Sequence, residues 1–151
     1  SLKCYMADTG LLVSLAFDDG PDLMDVHRDI QFGRISINKG MLIENIVAQQ
    51  LKSLGHSLFY YSWQEPSKTE GSRPRTREID FLVSRGFEDA AGKPRVTPVE
   101  VKSSKSYSTI SLDDFGRRFE RRVGEEIVLH PKQLRAEGHR IYLPLYMTIF
   151  I

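Results

Sequence analysis

The sequence predicts an α/β domain: a mixed central β-sheet flanked by helices, in the order α-β-β-β-α-β from residue 40. Three observations lead there. An amphipathic helix precedes three strand-like segments, a second amphipathic helix follows them, and a short apolar strand comes next. With 151 residues, 40% hydrophobic and 27% charged, the chain fits one domain. A globule of this size buries roughly 70% of the surface its unfolded form exposes, enough for a real core.

Residues 1–39 read as an N-terminal extension. "LKCYMADTGLLVSLAF" begins as a strand or a short helix, and "DDGPDLMDVHRD" carries an Asp-Gly-Pro turn and five aspartates from Asp18 to Asp29, a solvated surface. "GMLIENIVAQQLKSLG" (40–55) is the clearest helix, with Ile43, Ile46, Val47, Leu51 and Leu54 at helical spacing and Gly55 where a C-terminal cap belongs. "SLFYYSW" (57–63) and "REIDFLVS" (77–84) alternate as strands, separated by the loop-like "PSKTEGSRPRTR" (66–77). The turn-rich "GFEDAAGKP" then leads by hairpin into "RVTPVEVKS" (95–103). Pro98 cannot donate to a ladder, so the paired part of that strand should start near Val99.

"SLDDFGRRFERR" (111–122) opens with a serine cap, carries acids in its first turn, and sets Leu112, Phe115 and Phe119 on one face. "EEIVLHP" is a strand, closing a core over 40–130. In the C-terminal element, 131–151, "IYLPLYMTIFI" fits either a last strand or a terminal helix. No internal repeat or low-complexity segment interrupts the chain.

Bulk properties exclude several classes. A formal charge of +1 gives no global reason to bind nucleic acid or anionic lipid, so such binding must come from local patches. No apolar stretch approaches the roughly 18 residues a membrane span needs. Cys4 is the single cysteine, which rules out an internal disulfide and a cysteine-based zinc site and points to a reducing, cytoplasmic setting; the four histidines lack metal-ligand spacing. No secretory signal is visible, and the chain reads as a piece of something longer.

Four residues invite a chemical reading. Glu44 lies about 60 to 80° from the centre of the helix's apolar stripe, where an isolated glutamate reads as a boundary charge that reaches water or a nearby cation. Asp80 sits between Ile79 and Phe81 on a strand, disfavoured there and costly to bury alone; it is either a solvent-facing residue sharing a face with Glu78 or a functional acid. Glu100 and Lys102 share one face of the third strand, with backbones about 6.6 Å apart. Alone they would be an ion pair worth roughly 0 to 1 kcal/mol. Taken together, the second and third strands can bring Asp80 and Glu100 within reach of one hard cation, and a lysine beside it can steady charge growing on a phosphodiester.

"ENIVAQQL", "REIDFLVS" and "VEVKSSKS" resemble the helix acid, aspartate strand and Glu-x-Lys strand of the PD-(D/E)XK nuclease superfamily, with its restriction-endonuclease-like core. More narrowly, "SLKCYMADTGLLVSL", "KGMLIENIVAQQL" and "VEVKSSKS" look like the uncharacterised C-terminal domain found behind an AAA-type ATP-binding module in many prokaryotic proteins. The resemblance implies Mg2+ or Mn2+ held by Asp80, Glu100 and the Val101 carbonyl, a catalytic Lys102, and Glu44 as auxiliary acid. It also implies a metal-dependent DNA nuclease, with an AAA-type ATPase upstream in the parent chain, since no Walker-type G-x-x-x-x-G-K-[ST] occurs here. Ile79 departs from the proline of the superfamily's name, at a permissive position. The alternative is a catalytically silent binding or regulatory module on the same fold.

Phosphate contacts would fall to Arg73, Arg75 and Arg77 in one loop, to Lys105, and to Arg117, Arg118, Arg121 and Arg122 on the second helix. That helix reads slightly better as a solvated face on which arginines answer Asp113, Asp114 and Glu120. Phe59, Tyr60, Tyr61 and Trp63 could stack bases, though their alternation favours core packing.

Overall fold

The computed structural model describes residues 3–16, 39–65, 74–86, 88 and 92–151. The aspartates between Asp18 and Asp29, Arg73, and most of the 66–77 loop lie outside the described residues. In chain order the elements are α1 (Thr9–Ala16), α2 (Lys39–Ser53), β1 (Phe59–Glu65), β2 (Arg75–Val83), β3 (Thr97–Val101), α3 (Ile110–Arg118), β4 (Glu126–His130), β5 (Arg135–Glu137), β6 (Arg140–Pro144) and a 3-10 helix (Leu145–Phe150). The strands form one six-stranded sheet ordered β1-β2-β3-β4-β6-β5. β3 and β4 are parallel, joined through α3, and β4 and β6 are also parallel; the outer pairings are antiparallel.

The expected α/β fold is what forms, because α2 covers one face of this sheet and α3 the other. On one side Val47, Ala48 and Leu51 of α2 pack on Phe81, Val83, Val99 and Ile127. On the other, Leu112 and Phe115 of α3 pack on Ile79, Val128 and Tyr142. Tyr61 and Trp63 join the second cluster, their rings meeting Phe115 at 5.6 and 6.4 Å, so two of the four β1 aromatics are core. Phe59 is largely exposed.

Gly55 ends α2 as its sequence position suggested. Its φ is 90°, and the pair of bonds from Gly55 N to Lys52 O and from His56 N to Leu51 O closes the last turn in a Schellman arrangement. Pairing of β3 with β4 begins at Val99, while its pairing with β2 extends back through Pro98 to Thr97.

Three local expectations are corrected. Ser111 does not cap α3: the cap residue is Thr109, which makes no side-chain cap bond and whose hydroxyl accepts from Arg140 Nη1 at 3.2 Å. The helix stops at Arg118, so Arg121 and Arg122 lie beyond it, in the turn that brings Val96 and Val123 together. The tail is neither one strand nor one helix. It is a strand to Pro144, whose ring cannot extend a ladder on both sides, and then a 3-10 turn that buries Thr148. Among the described residues, no helix is long and apolar enough to cross a membrane.

Candidate active site

A break in strand register aims the first acid. Along β1 the partners run from Phe59 to Tyr61, two steps, while along β2 they run from Leu82 to Ile79, three steps. The extra residue lies at Asp80–Phe81, and it reverses the alternation: Ile79 packs under α3 and Phe81 under α2, although they are two apart. A bulge of this kind re-aims a side chain where strict pairing would lock it to one face. Asp80 uses the freedom to accept the Val101 amide through Oδ2 at 2.8 Å. Ladder pairing of β2 with β3 stops at Phe81 and Val99; one step further along that register stand Asp80 and Glu100.

Asp80 is one of three carboxylates around the ammonium of Lys3. Lys3 Nζ lies 2.8 Å from Glu44 Oε1, 2.5 Å from Glu78 Oε1 and 3.5 Å from Asp80 Oδ1. Tyr5 donates its hydroxyl to the same Glu44 oxygen at 2.6 Å and leans its ring on Phe81. The N-terminal segment is pinned there by α2. Asn45, itself buried, accepts from Met6 N and donates to Met6 O, and Gln49 donates to Met6 O and to Thr9 Oγ1. Cys4, between the two inward residues, is exposed.

Glu100 is 5% exposed. Its Oε1 accepts from Lys102 Nζ at 2.6 Å, and its Oε2 is buried with no hydrogen-bond partner. Leaving a carboxylate oxygen dry and unpaired costs free energy that a purely structural ion pair would recover with a second donor. Burial pushes the Glu100 carboxyl above the usual carboxylate range, against the pull of Lys102 and with help from the Asp80 charge. Asp80 behaves alike: burial raises it to about 6, the Val101 amide opposes that, and the Glu44 charge adds to it. For Lys3, burial disfavours the charge, yet its bonds to Glu44 and Glu78 and the field of Asp80 outweigh this and raise its pKa.

Glu44, Asp80, Glu100 and Lys102 thus come together, with Asp80 linking the Lys3 cluster to β3. Sequence reading missed Lys3, Tyr5 and Glu78 as site members. The only signal available was Glu78 two residues from Asp80, read as a shared wet face. As for a cation, Asp80 and Glu100 offer hard oxygens and Glu100 Oε2 is free of protein donors, so the donor chemistry suits Mg2+ or Mn2+. Among the described residues, however, no three His, Cys, Asp or Glu side chains stand close enough to hold an ion by themselves. The carboxylates near Lys3 are spaced by its ammonium, at up to 3.5 Å, where a divalent ion asks for 2.0 to 2.6 Å.

Arg77 bonds Glu65 at 3.0 Å and approaches Asp114 on α3, and Arg117 pairs with Asp114, an intramolecular network. Arg75, Lys105 and Arg121 are exposed.

A family model described as a domain of unknown function (DUF4143) matches residues 39–148, more than two thirds of the chain. No curated protein and no solved structure matches.

Proposed function

The chain belongs to this DUF4143 family, and from that premise we propose that the cluster is the active site of a metal-dependent nuclease domain of the PD-(D/E)XK type, hydrolysing phosphodiester bonds in DNA. The observation that carries the reading is the buried, unpartnered Glu100 Oε2 beside Lys102, one register step from the re-aimed Asp80. Asp80 and Glu100, with the Val101 carbonyl, would hold Mg2+ or Mn2+, and Glu44 assists as the auxiliary acid. The bound metal supplies a Lewis acid for the phosphate and an activated water.

The chain's own residues do the rest. Lys102, two residues from Glu100 on β3, presents an ammonium to the negative charge that grows on the phosphate in attack. The Val101 amide fixes the Asp80 carboxylate through Oδ2, while Oδ1 faces the Lys3 ammonium at 3.5 Å. Asp80, with a pKa of about 6, is ionised at neutral pH and protonated in mild acid. Exposed Arg75, Lys105, Arg117 and Arg121 are the candidates for DNA phosphates. The module works in the cytoplasm as the partner of an AAA-type ATPase upstream in the parent chain.

A second reading, a silent regulatory module on the same fold, draws on Lys3, whose ammonium already neutralises part of the cluster. Cleavage of supercoiled plasmid with Mg2+ or Mn2+ separates the two. The nuclease reading expects nicking that falls by about a hundredfold or more in Lys102→Ala. No cleavage with either metal, or equal cleavage by Lys102→Ala, leaves the silent module.

A further inference from the structure

The two ends of the parallel strands carry different charge. β3, β4 and β6 run side by side in one direction, and in sheets built this way ligands bind in the crevice beyond the carboxyl ends of the strands. At the amino ends a cavity is lined by Arg95, Arg117 and Arg140 and by Asp113, Glu120 and Glu126, whose formal charges cancel. At the carboxyl ends they do not. The loop after β3, residues 102–109, carries Lys102 and Lys105 and no acid, and the loop after β4, residues 131–134, carries Lys132 and no acid. Lys102 N donates to Leu129 O at 2.8 Å, which sets Lys102 beside His130, the last residue of β4. Both loops therefore leave the sheet next to the proposed active site.

The loops are also tied to one another. His130 is buried, and its Nε2 faces the Gln133 carbonyl at 3.1 Å. A carbonyl only accepts, so Nε2 carries the hydrogen and Nδ1 accepts from the Tyr107 hydroxyl at 2.6 Å. Burial, with the fields of Arg135 and Lys132, holds the imidazole below its usual range against the pull of the Gln133 carbonyl, which favours this neutral form. Tyr107 belongs to the first loop and Gln133 to the second, and the Lys132 ammonium stands over the Tyr107 ring, 5.3 Å from its centroid. Among the described residues, Lys105 and Lys132 are exposed and neither pairs with an acid, whereas Arg117 pairs with Asp114 and Arg135 with Glu137.

We propose that the loops after β3 and β4 form the surface that holds the sugar-phosphate backbone of DNA, with Lys105 and Lys132 on phosphates and Lys102 at the inner end. The proposal rests on the nuclease reading for its choice of DNA and adds to it the surface along which the strand lies. Loops already fixed through Tyr107 and His130 present their ammoniums with little further ordering, which lowers the entropic cost of binding.

The test reads binding apart from cleavage. Fluorescence anisotropy of a short labelled DNA duplex is followed in EDTA, across a salt series, for wild type and for Lys105→Gln/Lys132→Gln. Lys39→Gln/Lys52→Gln, which removes two exposed cations from α2, is the control for lost charge. The loop variant should bind about tenfold more weakly or worse, and its slope of log K against log salt should fall by about 2, one counterion for each lost contact. The control should keep the wild-type slope. Equal affinity and slope in the loop variant and the control overturns the proposal, as does a wild type that binds no DNA. The two readings fail separately. If plasmid nicking depends on Lys102 while the loop variant binds as the control does, the surface is wrong and the nuclease reading stands. If wild type nicks nothing while the loop variant loses the slope, the surface stands on a silent DNA-binding module.

Discussion

Two buried carboxylates on neighbouring strands have opposite environments. Glu126, at the start of β4, is 1% exposed and fully answered: Arg140 bonds its Oε2 at 2.7 Å through Nε and at 2.6 Å through Nη2, and His139 stands 3.4 Å from Oε1. Arg140 is itself held by Asp113 and Thr109 of the α3 region. Glu100, near the end of β3, has one cation on one oxygen and nothing on the other. Both sit in the same sheet, so burial alone does not explain the difference. A closed pair ties α3 to the sheet. An open one, with neighbours whose pKa values are pushed up, is the arrangement expected where a ligand completes the coordination.

The largest effect should come from breaking the closed pair. Arg140→Met leaves Glu126 charged in the interior and is expected to cost about 3 to 5 kcal/mol of stability in urea unfolding; a loss below about 1 kcal/mol would erase the contrast. Next comes a pH effect at the open end. Asp80 has a native pKa of about 6 against 3.8 for the ordinary group. Below the lower value both folded and unfolded chains are protonated. Between the two the unfolded chain releases its proton first, so stability falls as pH rises, by about 3 kcal/mol in all, and the loss is complete above pH 6. Asp80→Asn should remove that slope, read from unfolding midpoints across the window; an unchanged slope assigns it to other groups.

Gly116→Ala probes the closed end sterically. A Cβ there would lie 2.3 Å from Glu126 Oε1, so helix or carboxylate must shift, at about 1 to 3 kcal/mol. The smallest change should be Glu100→Gln. It removes a charge that the fold leaves half answered and releases a lysine that reaches water, so stability should move by less than about 1 kcal/mol, in either direction. A loss as large as that of Arg140→Met would show Glu100 to be structural.

How much of this the sequence carries depends on how local the cause is. α2 was legible because apolar spacing and Gly55 are features of one short stretch, and the Schellman closure formed where they pointed. Glu100 and Lys102 were legible because period two in one extended stretch, β3 and the residue just past its end, sets them together, and they do bond. The bulge at Asp80 was not, since it exists only in the mismatch between β1 and β2. Lys3 was invisible for a related reason: it meets Glu44 across 41 positions, guided by backbone contacts of Asn45 that carry no signature in either segment. The serine cap failed because the helix already begins at Ile110 after Thr109, which puts Ser111 inside its first turn. β5 is three exposed residues, "RAE", paired along the edge with β6.

The central claim is that the open carboxylate on β3 belongs to a divalent metal site. Isothermal titration of Mn2+ into wild type and into Glu100→Gln tests it most directly, because the variant should remain folded. The expected result is saturable binding by wild type that the variant loses. Absence of binding by wild type, or the same isotherm for both proteins, would contradict it.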